Sequence, residues 1–114
     1  MAVLDYCELP VGVVADEVAF YENAFGWRFT SYGPDYAAYE EGPCQLALNG
    51  TPDDQRSRGI LPVVRVASIE EAQRAVEAAG GTISVAIFDY PGGRRFHFRD
   101  PAGLELACYE PSPE

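Results

Sequence analysis

Leu9-Pro10-Val11 has a counterpart 55 residues later, Val64-Arg65-Val66 (9 to 64, 11 to 66), each directly ahead of a stretch with helical period. Glu22 and Ala24 in the first stretch match Glu77 and Ala79 in the second at the same offset. The identity is thin, so the element order around it decides the fold. In the first stretch Val14, Val18, Tyr21 and Phe25 fall at i, i+4, i+7 and i+11, one face of a helix. Asp16 and Glu17 suit its first turn and Gly26 its end. In the second, Ile69, Ala72, Val76 and Ala79 form the stripe. Ser68 with Glu71 reads as a capping box, and Gly80-Gly81 stops the helix.

Outward from these helices the chain reads as strands: Val3–Leu9, Trp27–Tyr32, Tyr36–Glu40, Gln45–Asn49, Gly59–Val66, Thr82–Ala86, Arg94–Arg99 and Leu104–Tyr109. Turn residues separate them at Gly33-Pro34-Asp35, Gly42-Pro43, Pro91-Gly92-Gly93 and Asp100-Pro101-Ala102-Gly103. The polar stretch 50–58 (GTPDDQRSR) reads as a linker. The prediction is an α+β chain of two βαβββ modules in one domain, the first over about 3–49 and the second over about 59–110. A βαβββ unit leaves one sheet face uncovered, so two modules must bury theirs together or against another chain.

Composition bounds the function. A chain of 114 residues has room for one core rather than two independent ones. Eighteen acids against eight bases leave a net charge of −10, which disfavours nucleic acid as a partner and suits a cationic ligand. No apolar run approaches the ~20 residues of a membrane helix, so no membrane partner is expected. The start MAVLDYCELP lacks the basic and apolar regions of a secretory signal, and a cytoplasmic location is expected. Cys7, Cys44 and Cys108 stand in apolar or small-residue surroundings without metal spacing and read as buried, reduced thiols in a reducing compartment.

Three segments together resemble one known family. They are Phe20-Tyr-Glu-Asn-Ala-Phe-Gly-Trp27, the β–α start at Leu61–Ala72, and Arg99-Asp-Pro-Ala-Gly103 before the last strand. In this order and spacing the chain resembles the vicinal oxygen chelate superfamily (glyoxalase I, extradiol dioxygenases, fosfomycin resistance proteins, bleomycin-binding proteins) over nearly its whole length. The resemblance implies curved mixed sheets forming a cleft, a small-molecule ligand or substrate, and a homodimer.

In metal-dependent members of that superfamily, four cleft positions hold His or Glu, because a divalent ion there polarises neighbouring substrate oxygens. Carried over by resemblance, these positions fall on Tyr6, Leu61, Ala47 and Ala107. Leucine and alanine have no donor atoms, and a lone phenol makes no site. No metal and no other cofactor is therefore expected.

With Tyr6 facing the cleft, period-2 alternation adds Leu4 and Glu8, then Leu61, Val63 and Arg65, Gln45 and Ala47, and Glu105, Ala107 and Tyr109. Trp27, Tyr32, Tyr36 and Tyr39 are expected to wall it on one side. The candidate ligand-binding residues are thus Tyr6, Glu8, Trp27, Tyr39, Gln45, Arg65, Glu105 and Tyr109. Glu8 and Glu105 are expected to be solvated or paired with Arg65; a catalytic pair is the rival reading. His97, the chain's one histidine, reads first as a solvent-facing strand residue and second as a ligand contact or acid–base group. The leading function is metal-independent binding of a cationic or aromatic small molecule such as an antibiotic. The alternative is a glyoxalase-like lyase or isomerase, or a dioxygenase relative, using residual side chains or a weakly bound ion.

Overall fold

A computed structural model describes residues 2–51 and 59–113; most of the predicted linker, 52–58, lies outside the described residues. The elements run β1 (Val3–Pro10), α1 (Val14–Phe25), β2 (Thr30–Ser31), β3 (Tyr36–Tyr39), β4 (Gln45–Asn49), β5 (Leu61–Arg65), α2 (Ile69–Ala78), β6 (Thr82–Tyr90), β7 (Gly93–Arg99) and β8 (Glu105–Pro111). This is an α+β fold of two βαβββ modules. The chain forms two compact units, Tyr6–Ile60 and Leu61–Glu114 with Met1–Asp5. No helix among the described residues is long and apolar enough to cross a membrane.

In the first unit β1 runs parallel to β4, and β4–β3 and β3–β2 are antiparallel. In the second, β5 runs parallel to β8, and β8–β7 and β7–β6 are antiparallel. Each sheet therefore repeats one plan, with the first strand of the module beside the last.

Each helix covers one face of its sheet because its apolar stripe matches the inward set of the strands. Val14, Val18 and Tyr21 of α1 pack on Leu9, Val11, Ala37, Leu46 and Leu48. Ile69, Ala72 and Val76 of α2 pack on Val64, Phe96, Phe98, Cys108, Ile83 and Ile87. Of the three cysteines expected to be buried only Cys108 is, Cys7 being half-buried and Cys44, beside the Gly42-Pro43 turn, exposed. Burial drives the thiol of Cys108 up to about 11, so it is held as a neutral, unreactive S–H.

The helix ends differ. Ser68 caps α2 by accepting the Glu71 N–H (3.3 Å), and the Glu110 carboxylate accepts the Ile69 N–H (3.0 Å). Arg94 ties the same corner together, donating to Glu70 (2.9 and 3.3 Å) and Glu110 (3.2 Å). At α1 the N-cap position is Val13, which offers no side-chain cap; Gly26 (φ 74°) closes the other end.

Two turns depend on their special residues. Asp100 accepts the N–H groups of Ala102 and Leu104 (both 2.9 Å) and Gly103 takes φ 87°, closing the Asp-Pro-Ala-Gly reversal. Gly93 (φ 142°) lies so close to the β8 backbone that a Cβ there would sit 2.1 Å from the Glu110 carbonyl oxygen. Only glycine fits.

The strand predictions differ from the structure in extent. The predicted Trp27–Tyr32 strand shrinks to Thr30–Ser31, and β6 runs on to Tyr90, four residues past the predicted end, with two register shifts. Bulges of that kind bend a strand without ending it, and no local signal marks them.

Candidate functional site

Alternation places one set of side chains of each sheet on the face away from its helix. In the first unit this set is Tyr6 and Glu8 of β1, Gln45, Ala47 and Asn49 of β4, and Tyr36 and Ala38 of β3. The register fixes it, pairing Tyr6 with Gln45, Glu8 with Ala47, Tyr36 with Asn49 and Ala38 with Ala47. Tyr36, Ala38 and Ala47 cluster there with Tyr6 against them.

Glu8 is the centre of that face. It is 1% exposed. Its Oε2 accepts from the Tyr36 hydroxyl at 2.6 Å and its Oε1 from the Asn49 amide at 3.0 Å. Asn49 is in turn held by Thr51, whose N–H and hydroxyl both reach Asn49 Oδ1 (3.0 and 2.6 Å). A buried carboxylate is costly unless it is hydrogen-bonded, and each charge-assisted bond offsets roughly 1.5–3 kcal/mol of that cost. The sequence reading located Glu8 but not Asn49; its position two residues past Ala47 was the available signal.

In the second unit the helix-free face carries Leu61, Val63 and Arg65 of β5, Glu105, Ala107 and Tyr109 of β8, and Arg95 and His97 of β7. Arg95 is buried, with its guanidinium carbon 4.6 Å from the Tyr90 ring centre and 5.5 Å from that of Phe88. His97 is 0% exposed. Its Nδ1 lies 3.1 Å from Glu105 Oε2, which also accepts from the Ser84 hydroxyl at 3.1 Å, and the Phe88 ring stands beside the imidazole. The Tyr109 hydroxyl donates to Asp5 in a short hydrogen bond. Burial first, and then that carboxylate, raise the Tyr109 phenol well above its usual range, so it stays a proton donor.

Several expectations are corrected. His97 does not face solvent: β7 lies between β6 and β8, and Arg95, Phe96 and His97 are all buried although they alternate between faces. Glu8 is buried rather than solvated, and Glu105 is held by residues other than Arg65. Glu8 is bound by Tyr36 and Asn49, Glu105 by His97 and Ser84, while Arg65 is exposed. Nor do the two acids mirror each other, because Glu8 stands beside Ala47 whereas Glu105 lies two residues before Ala107.

The aromatic wall divides. Tyr36 joins Glu8, whereas Tyr39 pairs with Leu46 on the helix side. There Trp27 stacks between Tyr39 (4.7 Å, 12°) and Tyr21 (5.8 Å, 12°). The first unit thus gathers Tyr6, Glu8 and Gln45 of the predicted residues on one face and leaves Trp27 and Tyr39 on the other. The second gathers Arg65, Glu105 and Tyr109 and adds Arg95 and His97.

The four positions that resemblance assigns to a metal hold Tyr6, Leu61, Ala47 and Ala107, of which the last three are buried hydrocarbon. Among the described residues no group of three or more His, Cys, Asp or Glu could hold an ion. This donor set does not fit a divalent metal.

Comparison with known proteins bears on these faces. A family model described as Glyoxalase/Bleomycin resistance protein/Dioxygenase superfamily matches residues 3–107. An uncharacterized protein of Mycolicibacterium smegmatis is 33% identical over 98 residues, covering 84% of this chain and 83% of its own length. Among solved structures, one described as an NAD-dependent benzaldehyde dehydrogenase from Legionella pneumophila superposes with a TM-score of 0.79 at 18% identity, covering 94% of this chain and 98% of that one. Methylmalonyl-CoA epimerase from Mycobacterium tuberculosis gives 0.77 at 16% identity, covering 96% and 88%. At these identities the structures speak for the fold.

Proposed function

The chain belongs to the glyoxalase/bleomycin resistance protein/dioxygenase superfamily, and on that premise we propose that it is a metal-independent binding protein for a cationic or aromatic small molecule. The observation that carries this reading is Glu8, buried on a helix-free sheet face and bonded to Tyr36 and Asn49. A sheet face kept only for packing would be apolar, since a buried carboxylate costs more than a well-packed hydrocarbon of its size. The phenols of Tyr6 and Tyr36 supply aromatic surface beside it. The proposal includes the two modules acting as one domain and a homodimer in solution, as the resemblance implies, and a cytoplasmic location.

Isothermal titration with a bleomycin-type glycopeptide tests the most concrete version. Saturable heat that weakens in Glu8→Gln is expected; no heat at high micromolar ligand rejects that version. A stoichiometric divalent ion in the purified protein would overturn the metal-free part. Light scattering at the mass of one 12.4 kDa chain would overturn the dimer.

A second reading, a lyase or isomerase, draws on the His97–Glu105 contact. An imidazole oriented by a carboxylate is the arrangement of a general base. A methylglyoxal–glutathione assay tests it: turnover that His97→Gln abolishes would favour this reading over binding alone.

A further inference from the structure

We infer that the exposed aromatic end of α1 is a docking surface for an arginine-rich segment of another protein. It lies on the helix side of its sheet, away from the Glu8 face, and does not depend on the ligand reading for Glu8. A surface helix turns its apolar stripe inward and polar residues outward. α2 follows that rule: among the described residues it exposes no large apolar side chain. α1 breaks it. Phe20 and Phe25 are 60% and 62% exposed, and Val13, just ahead of the helix, is exposed too.

The rings are joined rather than scattered. Phe20 meets Tyr21 edge-on (5.0 Å, 82°), Phe25 leans on Trp27 (5.0 Å, 36°), and Trp27 stacks on Tyr21 and Tyr39. A contiguous apolar patch of this kind, rimmed by polar groups, marks an interaction site. Helical spacing supplies the rim. Asp16 and Glu17 lie one turn before Phe20, and Glu22 lies one turn before Phe25. From Val13 to Trp27 there is no base, and Arg28, the next residue, offsets only one of the three acids.

Charge chooses the occupant. A second copy laid α1 against α1 about a twofold axis would bring the same three acids face to face, which like charges oppose. A cation is drawn both by the ring faces and by the carboxylates beside them. Arginine suits this pairing better than lysine, because its planar guanidinium stacks on a ring while its N–H groups reach a carboxylate. Phe20 and Phe25 are five residues apart, which in a helix separates their Cα atoms by about 9 Å. Each has its own acids, so the patch offers two cation seats. One small amine fills one of them; two arginines of a single chain segment fill both.

Trp27, the chain's single tryptophan, reports on the patch. Its fluorescence is followed while the whole chain is titrated with the end-blocked peptide Arg-Thr-Arg-Thr-Arg, which carries no chromophore. A saturable change is expected, tighter by about three-fold or more than with the lysine version and by about ten-fold or more than with the glutamate version. Phe20→Ser, at an exposed position, should weaken binding roughly two- to five-fold. Asp16→Asn combined with Glu17→Gln, which leaves every ring in place, should weaken it as well. Leu104→Ser, similarly exposed but in the second unit, should not.

No saturable response at high millimolar peptide overturns the inference, as do equal responses to the arginine version and either of the others. Binding that Phe20→Ser and the charge variant leave unmoved overturns the location. Argininamide binding as tightly as the peptide would make this a seat for one small cation and overturn the docked segment. A shift from dimer to monomer in Phe20→Ser, read by light scattering, would assign the patch to a second copy and overturn the inference too.

Discussion

Glu8 and Val63 occupy the same slot in the two modules, each on the first strand of its module and each beside an alanine, Ala47 and Ala107. The neighbouring slots correspond as well. Tyr36 pairs with Asn49 where Arg95 pairs with Tyr109, and Ala38 pairs with Ala47 where His97 pairs with Ala107. The backbone plan is repeated, but the chemistry on the helix-free face is not. One module centres on a carboxylate that accepts from a phenol and an amide. The other holds a guanidinium between aromatic rings and an imidazole against a carboxylate. A repeated fold thus constrains which positions face which way, and leaves open what each position carries.

Transplanting the slot should break the comparison most strongly. Val63→Glu puts a carboxylate at a fully buried position beside Ala107, where the slots of Tyr36 and Asn49 hold Arg95 and Tyr109, already engaged by aromatic rings and by Asp5. A loss of at least ~3 kcal/mol in urea unfolding is expected. A loss below ~1 kcal/mol would mean the second module can also house an acid. Glu8→Gln should cost less, roughly 1–3 kcal/mol, since the amide keeps the shape but turns an NH2 toward a donor, the Tyr36 hydroxyl or the Asn49 amide. Equal losses at the two positions would erase the distinction between the modules.

The helix caps give a smaller contrast. Ser68→Ala should cost about 1 kcal/mol, while Val13→Ser, at the uncapped end of α1, should gain up to ~1 kcal/mol. Thermal melts of the two variants, shifted in opposite directions, check this. The smallest effect is spectroscopic. Tyr32 donates to Glu40 at 2.6 Å, and that bond, with burial, pushes its phenol up to about 12. Because the folded value lies above the ordinary value near 10, the associated stability is complete below pH 10 and fades as the pH rises through about 12. Ultraviolet titration should find Tyr32 among the late-ionising tyrosines, together with Tyr109, and Glu40→Gln should bring Tyr32 alone back toward 10.

Much of this was legible in the sequence because it rests on periodicity. The stripe Ile69, Ala72, Val76 and the alternation Glu105, Ala107, Tyr109 depend on 3.6 and 2 residues per repeat, and both are met in the structure. His97 was misjudged because alternation says which residues share a face, not whether that face meets water. In β7 both faces are covered, so Arg95 and His97 are as buried as Phe96. Trp27 and Tyr39 were misplaced for another reason. Counting from Tyr36 puts Tyr39 on the opposite face, and Trp27 precedes a two-residue strand where no alternation operates. Asn49 escaped notice because a polar residue ending a strand looks like the start of a turn until Glu8, 41 positions earlier, is seen beside it.

The first strand has a further consequence for anyone who would cut this protein in two. Its opening residues, through Asp5, group with the second unit, and Asp5 accepts a hydrogen bond from the Tyr109 hydroxyl; the rest of the strand, from Tyr6, belongs to the first unit. A fragment beginning at Leu61 would therefore lack the acceptor that Tyr109 uses. A fragment that kept residues 1–60 would carry that acceptor away with it. The halves look interchangeable on a topology diagram, yet dissection between them leaves the second piece incomplete and the first with a surplus segment, and complementation of separately expressed fragments would need a copy of residues 1–5 fused to the second.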